Sequence, residues 1–431
     1  MPDFDVIVVG AGPAGSIAAL ELARGGASVA LIERGVYPGS KNMYGGVVYP
    51  RILDSIIPNW HEEAPIQRHV TRRQTMMMTD HQAMTVDFRT TSWGSAPYNG
   101  VTAFRSEWDR WLAQHAVDAG ATLICSTTVT GLLRDANRII GVTTDRSDGD
   151  LTADLVVACD GANSFLAREA GLYKEFDASH FTLGVKEVLH LGKDEIDRRF
   201  NVSDHDGVDI EMVGATGPIA GGGFLYTNLD SVAVGVVLKL NSLAAANTRP
   251  EDVIATLKRH PAIAPLVAGG ELVEYSAHLI PEGGYDAMPT LGMSGLLVCG
   301  DAASLTLAAG IWLEGVNFAM ASWAAAAQAA LEAREAGRPA EAHRSYRSLL
   351  EGNFVLQDHK RLRHMPELIF SHFVQHQQAA MVCDVVEDLF TVTNPTPKPR
   401  LRRIVNDARK ANGVTHRDLL RTTWRAAKMF F

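Results

Sequence analysis

Asp5-Val6-Ile7-Val8-Val9-Gly10-Ala11-Gly12-Pro13-Ala14-Gly15 decides the fold. Its first five residues are a β-branched apolar run, the mark of a parallel strand buried on both faces. Ser16 to Arg24, rich in Ala and Leu, predicts a helix, and Ser28 to Glu33 predicts a second strand. A strand, a glycine turn, a helix and a second strand ending in an acid make a dinucleotide-binding unit. Gly10 permits the tight turn, Gly12 lets the backbone approach a pyrophosphate, and Gly15 allows close helix–sheet packing. The helix N-terminus offers N–H donors to the anion, and Glu33 can accept from the ribose hydroxyls of an adenosine. On this stretch alone NAD and FAD fit equally.

Three later segments separate the two cofactors. Arg105-Ser106-Glu107-Trp108-Asp109 is an R-x-x-x-D pattern opening a predicted helix. Cys159-Asp160-Gly161-Ala162-Asn163-Ser164 carries an Asp-Gly pair after a predicted strand, and Val298-Cys299-Gly300-Asp301-Ala302-Ala303 places an aspartate after another. Asp301 can bond a ribityl hydroxyl. The helix starting near Gly315 can stabilise negative charge on a reduced flavin ring. Taken singly, Asp160 reads as a turn former, Asp301 as an N-cap and Arg105 as a surface ion pair; in this order after the fingerprint they point to FAD. No second G-x-G-x-x-G marks a nicotinamide domain, since Gly221-Gly222-Gly223 does not open a helix.

The rest of the chain predicts an α/β fold: a Rossmann-like FAD-binding domain, an inserted antiparallel-sheet (α+β) substrate domain and a helical C-terminal extension. Residues 1–65, 105–180 and 285–345 fall to the first, 66–104 and 181–284 to the second, and 346–431 to the third. Thr122 to Cys125, Ile139 to Thr144 and Leu151 to Cys159 are expected to return as strands of the first sheet. Residues 305–331 are Ala-rich, and Glu314, Asn317 and Gln328 mark them as a buried helix rather than a membrane span.

A net charge of −9 over 431 residues argues against a nucleic-acid partner. Four scattered cysteines form no C-x-x-C pair, so they offer no iron–sulfur or zinc framework and fit a reducing compartment. No basic, apolar leader precedes the first strand. His372 and His376 stand i, i+4 but have no third local ligand, so no metal is assigned. The Met76-Met77-Met78 run and Trp93 read either as core or as the wall of an apolar channel.

Within the glutathione-reductase-type flavoproteins, the chain resembles the electron-transfer flavoprotein:quinone oxidoreductases, and among them the FixC subunits of FixABCX complexes. The resemblance rests on Tyr37-Pro38-Gly39-Ser40-Lys41-Asn42-Met43-Tyr44-Gly45-Gly46-Val47-Val48-Tyr49 and on Gly222-Gly223-Phe224-Leu225-Tyr226-Thr227-Asn228. It rests most particularly on His278-Leu279-Ile280-Pro281-Glu282-Gly283-Gly284-Tyr285. It covers roughly residues 1–370. Full-length quinone oxidoreductases of this kind carry cluster cysteines near the C-terminus; their absence fits FixC, whose cluster sits on the ferredoxin-like subunit FixX. Family members often have a basic residue where this chain has Glu314.

The resemblance implies FAD held by Gly10, Gly12, Pro13, Ala14, Gly15, Glu33 and Arg34 at the fingerprint. It adds Lys41, Asn42, Gly45 and Gly46 in the following loop, then Arg105, Val129, Asp160 and Gly161, then Gly300, Asp301, Gly315 and Asn317. No catalytic residue is assigned beyond the flavin. Electrons are expected from an electron-transfer flavoprotein (FixA with FixB) and are passed toward a quinone, with FixX bound nearby, in a complex that is electron-bifurcating or not. The implied place of work is the cytoplasmic face of the membrane, as a peripheral protein. Lys398, Arg400, Arg402 and Arg403, followed by Trp424-Arg425-Ala426-Ala427-Lys428-Met429-Phe430-Phe431, suit an interfacial helix, a partner-docking helix or a solvated tail. The alternatives in function are an FAD monooxygenase or geranylgeranyl-reductase-like enzyme using NAD(P)H, and a flavin-bearing assembly subunit.

Overall fold

The run Phe4–Val9 lies at the centre of a parallel sheet, in a computed structural model that describes residues 1–41, 45–173, 177–310 and 312–430. In chain order the strands are β1 (Phe4–Val9), β2 (Val29–Ile32), β3 (Gly45–Val48), β4 (Ile66–Met78), β5 (Ala83–Arg89) and β6 (Val101–Phe104). Then come β7 (Thr122–Ile124), β8 (Val129–Asp135), β9 (Arg138–Thr144), β10 (Leu151–Ala158), β11 (Phe181–His190) and β12 (Asp206–Val213). β13 (Gly221–Thr227), β14 (Ser231–Lys239), β15 (Glu271–Pro281), β16 (Gly292–Met293) and β17 (Leu296–Val298) follow. Three helices position the site: α1 (Pro13–Arg24), α2 (Arg105–Asp118) and α3 (Val316–Glu335).

The first sheet runs β16-β17-β10-β1-β2-β7, parallel throughout except at its β16 edge. Successive residues of β1 face opposite ways. Val6 and Val8 pack with helical residues such as Ile17, Trp108 and Phe318. Ile7 and Val9 pack with Leu132, Ile139 and Val142 of an antiparallel β8–β9 ribbon on the other side. Cover on both faces is why the strand reads as one apolar run. Ile139 to Thr144, expected as a member of the main sheet, belongs instead to this ribbon and meets β10 antiparallel at its start. Its partner β8 escaped the sequence reading, because Thr130, Arg134 and Asp135 dilute its apolar signal.

The second sheet runs β15-β11-β14-β13-β12-β4-β6-β3, with β5 on β4. It is not antiparallel throughout: β4 and β12 pair in parallel, joining residues 66–78 to the later strands. β3, placed by sequence with the nucleotide-binding part, hydrogen-bonds to β6 and belongs to this sheet. One face packs Val208, Ile210 and Met212 of β12 against Ile196, Phe200, Val253 and Ile254 of two covering helices. The other face looks onto a cavity.

The Ala-rich segment becomes α3 only from Val316; Leu307–Ala308 and Leu313–Glu314 pair as a short antiparallel hairpin before it. Gly310 stands at φ +77° between those two strands, a backbone setting that favours glycine over a helix-forming residue. From His343 onward the chain is mainly helical. Among the described residues no helix is long and apolar enough to cross a membrane.

Candidate functional site

A cavity of about 660 Å³, within the usual range for ligand sites, is lined by residues of both sheets. One end opens where β1, β10 and β17 finish, at Gly10, Cys159 and Cys299. This is where open α/β sheets receive ligands.

The fingerprint glycines do three different jobs. Gly10 holds φ +98°, and a Cβ there would stand 2.4 Å from the Cys159 carbonyl oxygen. A Cβ on Gly15 would lie 1.9 Å from the Gly10 carbonyl oxygen. Both are required by protein packing alone. Gly12 differs: its nearest neighbour would be Arg105 Nη2 at 3.7 Å, and it lines the cavity. No side chain caps α1, so its first N–H groups open on the cavity without a protein acceptor from a capping residue.

Glu33 does more than the sequence suggested. Its Oε2 accepts from the Ala11 N–H at 3.0 Å and its Oε1 from the Gly35 N–H at 2.7 Å. The carboxylate therefore braces the glycine turn, and each oxygen keeps a lone pair for a ligand hydroxyl. Arg105 is no surface ion pair. It grips the buried Asp109 in bidentate fashion, Nε to Oδ1 at 2.6 Å and Nη2 to Oδ2 at 2.9 Å, while facing the cavity. Burial raises the Asp109 carboxyl and Arg105 pulls it back down.

Asp160 Oδ2 accepts from the Leu166 N–H at 3.0 Å, as a turn former does, while Oδ1 is buried without a partner and the residue lines the cavity. Burial raises Asp301 as well, against the pull of His278 and Arg105. Pro13, Ala14, Arg34, Lys41, Val129, Gly161 and Gly315 line the same end. Gly15, Gly46, Gly300 and Asn317 do not. Gly300 instead spaces α1 from α3, since a Cβ there would come within 3.0 Å of Ala14 Cβ. The Asn317 amide donates to Glu314 and leaves Oδ1 buried and unpaired. Gly45 opens β3, and Asn42 lies outside the described residues.

Of the other end of the cavity, the residues read from sequence as core or channel wall supply only Met77. Tyr49, Thr75, Met77, Asp209, Glu211 and Gly221 to Gly223 line it, and Ile369, Phe370, Val374 and Gln375 of the C-terminal region close it. Gln375, on the π-helical turn Phe373–Gln378, accepts from the Gly221 N–H at 2.7 Å and donates to the Ile369 carbonyl. Of the methionine run only Met77 faces the cavity; Met76 and Met78 are core, and Trp93 packs on Phe88.

Arg73, on β4 beside Asp209, bonds Glu211 at 2.5 Å and lies 3.5 Å from Asp209. Burial lifts the Asp209 carboxyl to about 6. Burial and the Asp209 charge lift Glu211 to about 8. Burial also raises the Tyr49 phenol, and it carries Glu282, whose Oε2 is unpartnered, up to about 7. The sequence did hold a signal: Val208-Asp209-Ile210-Glu211-Met212 alternates acids with apolar residues inside a strand buried on both sides.

Two scattered cysteines also meet, as free thiols: Tyr346 Oη reaches Cys299 Sγ at 3.2 Å, and the Cys159 thiol is hydrogen-bonded with that of Cys299. His372 and His376 have ring centroids 5.0 Å apart. No group of three or more His, Cys, Asp or Glu side chains among the described residues is placed to hold a metal.

Two known families match the chain. Residues 3–194 match the family described as FAD binding domain, and residues 181–280 match that described as ETF-QO, ubiquinone-binding. The probable electron transfer flavoprotein-quinone oxidoreductase YdiS of Escherichia coli is 38% identical over 409 residues, 94% of this chain and 95% of its own. Protein FixC of Bradyrhizobium diazoefficiens is 39% identical over 373 residues, 86% and 85% of the two chains. The chain belongs to the FixC and electron transfer flavoprotein-quinone oxidoreductase family. Members of its fold include a geranylgeranyl bacteriochlorophyll reductase-like protein of Thermoplasma acidophilum, at TM-score 0.73 and 20% identity, covering 95% of this chain and 96% of that one. A flavin-dependent brominase shares the fold at TM-score 0.66 and 16% identity, covering 95% and 99%.

As a member of this family the chain is an FAD-dependent oxidoreductase. The residues fit the cofactor: an uncapped helix N-terminus beside Gly12 for the pyrophosphate, Glu33 for the ribose, and the unpaired Asp160 oxygen at the same end. When bound, FAD supplies the redox chemistry, and the protein supplies binding, orientation and electrostatics.

Proposed function

We propose that this chain takes electrons from an electron-transfer flavoprotein and passes them to a quinone, working as the FixC-like subunit of a FixABCX-type assembly. One observation carries the reading: the FAD end of the cavity opens directly into a second space walled by residues of the ubiquinone-binding family match, among them Asp209, Glu211, Gly222 and Val237. Gly221, Gly222 and Gly223 of β13 line that space and bring no side chain into it.

A ferredoxin-like FixX-type subunit holds the iron–sulfur cluster in this proposal, since the four cysteines of the chain provide no cluster framework. Membrane access is peripheral and from the cytoplasmic side. The helix His416–Phe430 exposes Leu420 and Trp424 beside basic side chains, as an interfacial helix does.

Anaerobic mixing tests the core of the proposal. The FAD-loaded protein is expected to be bleached by reduced electron-transfer flavoprotein and reoxidised by a short-chain ubiquinone. Absence of either transfer, with FAD fully bound, refutes it.

A further inference from the structure

At the sheet end of the cavity, charge and burial are mismatched in a way that simple packing does not explain. Arg73 contributes one positive charge. Asp209 and Glu211, 5% and 8% exposed, contribute two carboxyls from the same face of β12. Glu314 approaches from the hairpin before α3, with its own partner Asn317 and with Asp358 behind it. Tyr49 lies under the Arg73 guanidinium, 5.9 Å from it. These five are the charged and titratable groups that face one another here. Fully ionised, the cluster would bury more negative than positive charge, which a low-dielectric site does not tolerate. On the opposite face of the same strand Val208, Ile210 and Met212 pack into an apolar core, so the two acids mark the cavity face.

We propose that Arg73, Asp209 and Glu211 together store one exchangeable proton and deliver it to an oxygen of the quinone as that ligand is reduced. The inference rests on the quinone reading of the preceding section. Conversion of a para-quinone to its quinol adds two electrons and two protons, one on each oxygen. Bound FAD, if reduced to its anionic form, would supply two electrons and one proton; the second proton leaves the Glu211–Asp209 pair, which is then fully ionised against Arg73. Reloading comes from solvent, to which the Arg73 side chain keeps 22% of its surface. The chemistry of the groups suits this role. The pair holds its proton at neutral pH because burial and mutual repulsion raise it, and the guanidinium stabilises the ionised state that follows delivery.

Two measurements test this on the FAD-loaded protein. Infrared titration, with no quinone present, is expected to show a protonated carboxyl band that vanishes with a midpoint near 8 and is missing in Glu211→Gln. The rate of reoxidation by a short-chain ubiquinone is expected to fall above about pH 8 in the wild type. In Glu211→Gln it should be about 10²-fold slower at neutral pH and lose that pH dependence, while Glu211→Asp restores part of both. Asp209→Asn serves as the second variant, and bound FAD content controls for folding. A wild type without a carboxyl titrating near 8 overturns the proton store, as does Glu211→Gln with the wild-type rate and pH profile. If the wild-type flavin is not reoxidised by the quinone at all, the quinone reading itself fails and the delivery step with it.

Discussion

Gly12 and Gly15 are both glycine positions of the G-x-G-x-x-G pattern, yet the structure predicts opposite outcomes when each is changed to alanine. A methyl at position 15 would sit 1.9 Å from the Gly10 carbonyl oxygen and 3.1 Å from its carbon, both backbone atoms held in place by β1. Overpacking of a yielding core costs about 1–3 kcal/mol; an overlap with fixed backbone exceeds that, against a total stability of about 5–15 kcal/mol. Gly15→Ala is therefore expected to accumulate little folded protein with or without FAD. At Gly12 the nearest atom is 3.7 Å away and the backbone sits at φ −78°, open to any residue. Gly12→Ala should fold, with FAD-free stability equal to wild type or higher by about 0.4–1 kcal/mol through its stiffer unfolded chain. The methyl projects instead into the cavity beside the uncapped end of α1. A loss of about 1.4–2.8 kcal/mol in FAD binding, ten- to a hundredfold, is the expected result. Circular-dichroism melts of the FAD-free proteins and titration of flavin fluorescence separate the two effects. FAD affinity of Gly12→Ala within about twofold of wild type would refute the close-approach role of Gly12. A normally folded Gly15→Ala would refute the packing argument.

Glu33→Gln should disturb the empty protein as well as the loaded one. An amide can accept from only one of the Ala11 and Gly35 N–H groups, and each bond to the charge is worth about 1.5–3 kcal/mol, so melting of the FAD-free form falls accordingly. An unchanged melt would leave Glu33 with a ligand role only. Between about pH 7 and 8 the FAD-free protein should lose stability as pH rises. A carboxyl raised in the folded state stabilises fully below its unfolded value and loses that contribution as pH climbs through the folded one, here about 8 for Glu211 and about 7 for Glu282. The buried histidines, lowered by burial, act in the opposite sense and are half titrated in the unfolded chain at about 6.5, so their effect fades through this window and cancels when wild type is compared with Glu211→Gln. Denaturant melts of wild type and Glu211→Gln should differ in slope by about 1 kcal/mol per pH unit in that window; equal slopes would place the Glu211 proton elsewhere. Leu420→Ser with Trp424→Ser, at side chains 72% and 59% exposed, should reduce co-sedimentation with anionic lipid vesicles about tenfold. No change would assign that helix to a protein partner or to solvent.

What the sequence made legible was local in the chain. The fingerprint, its strand, helix and acid lie within 33 residues, and Arg105 with Asp109 within one helical turn, so spacing alone exposed them. The sheet end of the cavity was hidden because Tyr49, Glu211, Glu314 and Gln375, with Arg73 paired to Glu211, come together only through tertiary structure. The parallel pairing of β4 with β12 is what sets Arg73 beside Asp209, and no local pattern announces a partner more than a hundred residues away. The sequence marked the Ala-rich helix and its start near Gly315, but not the short hairpin around Gly310 that fills the residues before it. The same holds for Cys159 and Cys299, distant in sequence and neighbours at the ends of adjacent parallel strands.

A geranylgeranyl bacteriochlorophyll reductase-like protein and a flavin-dependent brominase share this fold at 20% and 16% identity, so the architecture alone cannot select a reaction. The selection must lie in what each chain places on the cavity face of its second sheet, because the nucleotide end is given over to holding the cofactor. In this chain that face carries one guanidinium, two deeply buried carboxyls and the run Gly221 to Gly223, closed by a glutamine that accepts from the Gly221 N–H. A site built only to enclose an apolar ring would do better with hydrophobic residues of the same volume in place of Arg73, Asp209 and Glu211, which avoid the cost of desolvating charge. Their presence at that position is accounted for by a ligand that changes its proton count when it changes its electron count. A quinone does so, and it is the ligand class for which the family region spanning residues 181–280 is described.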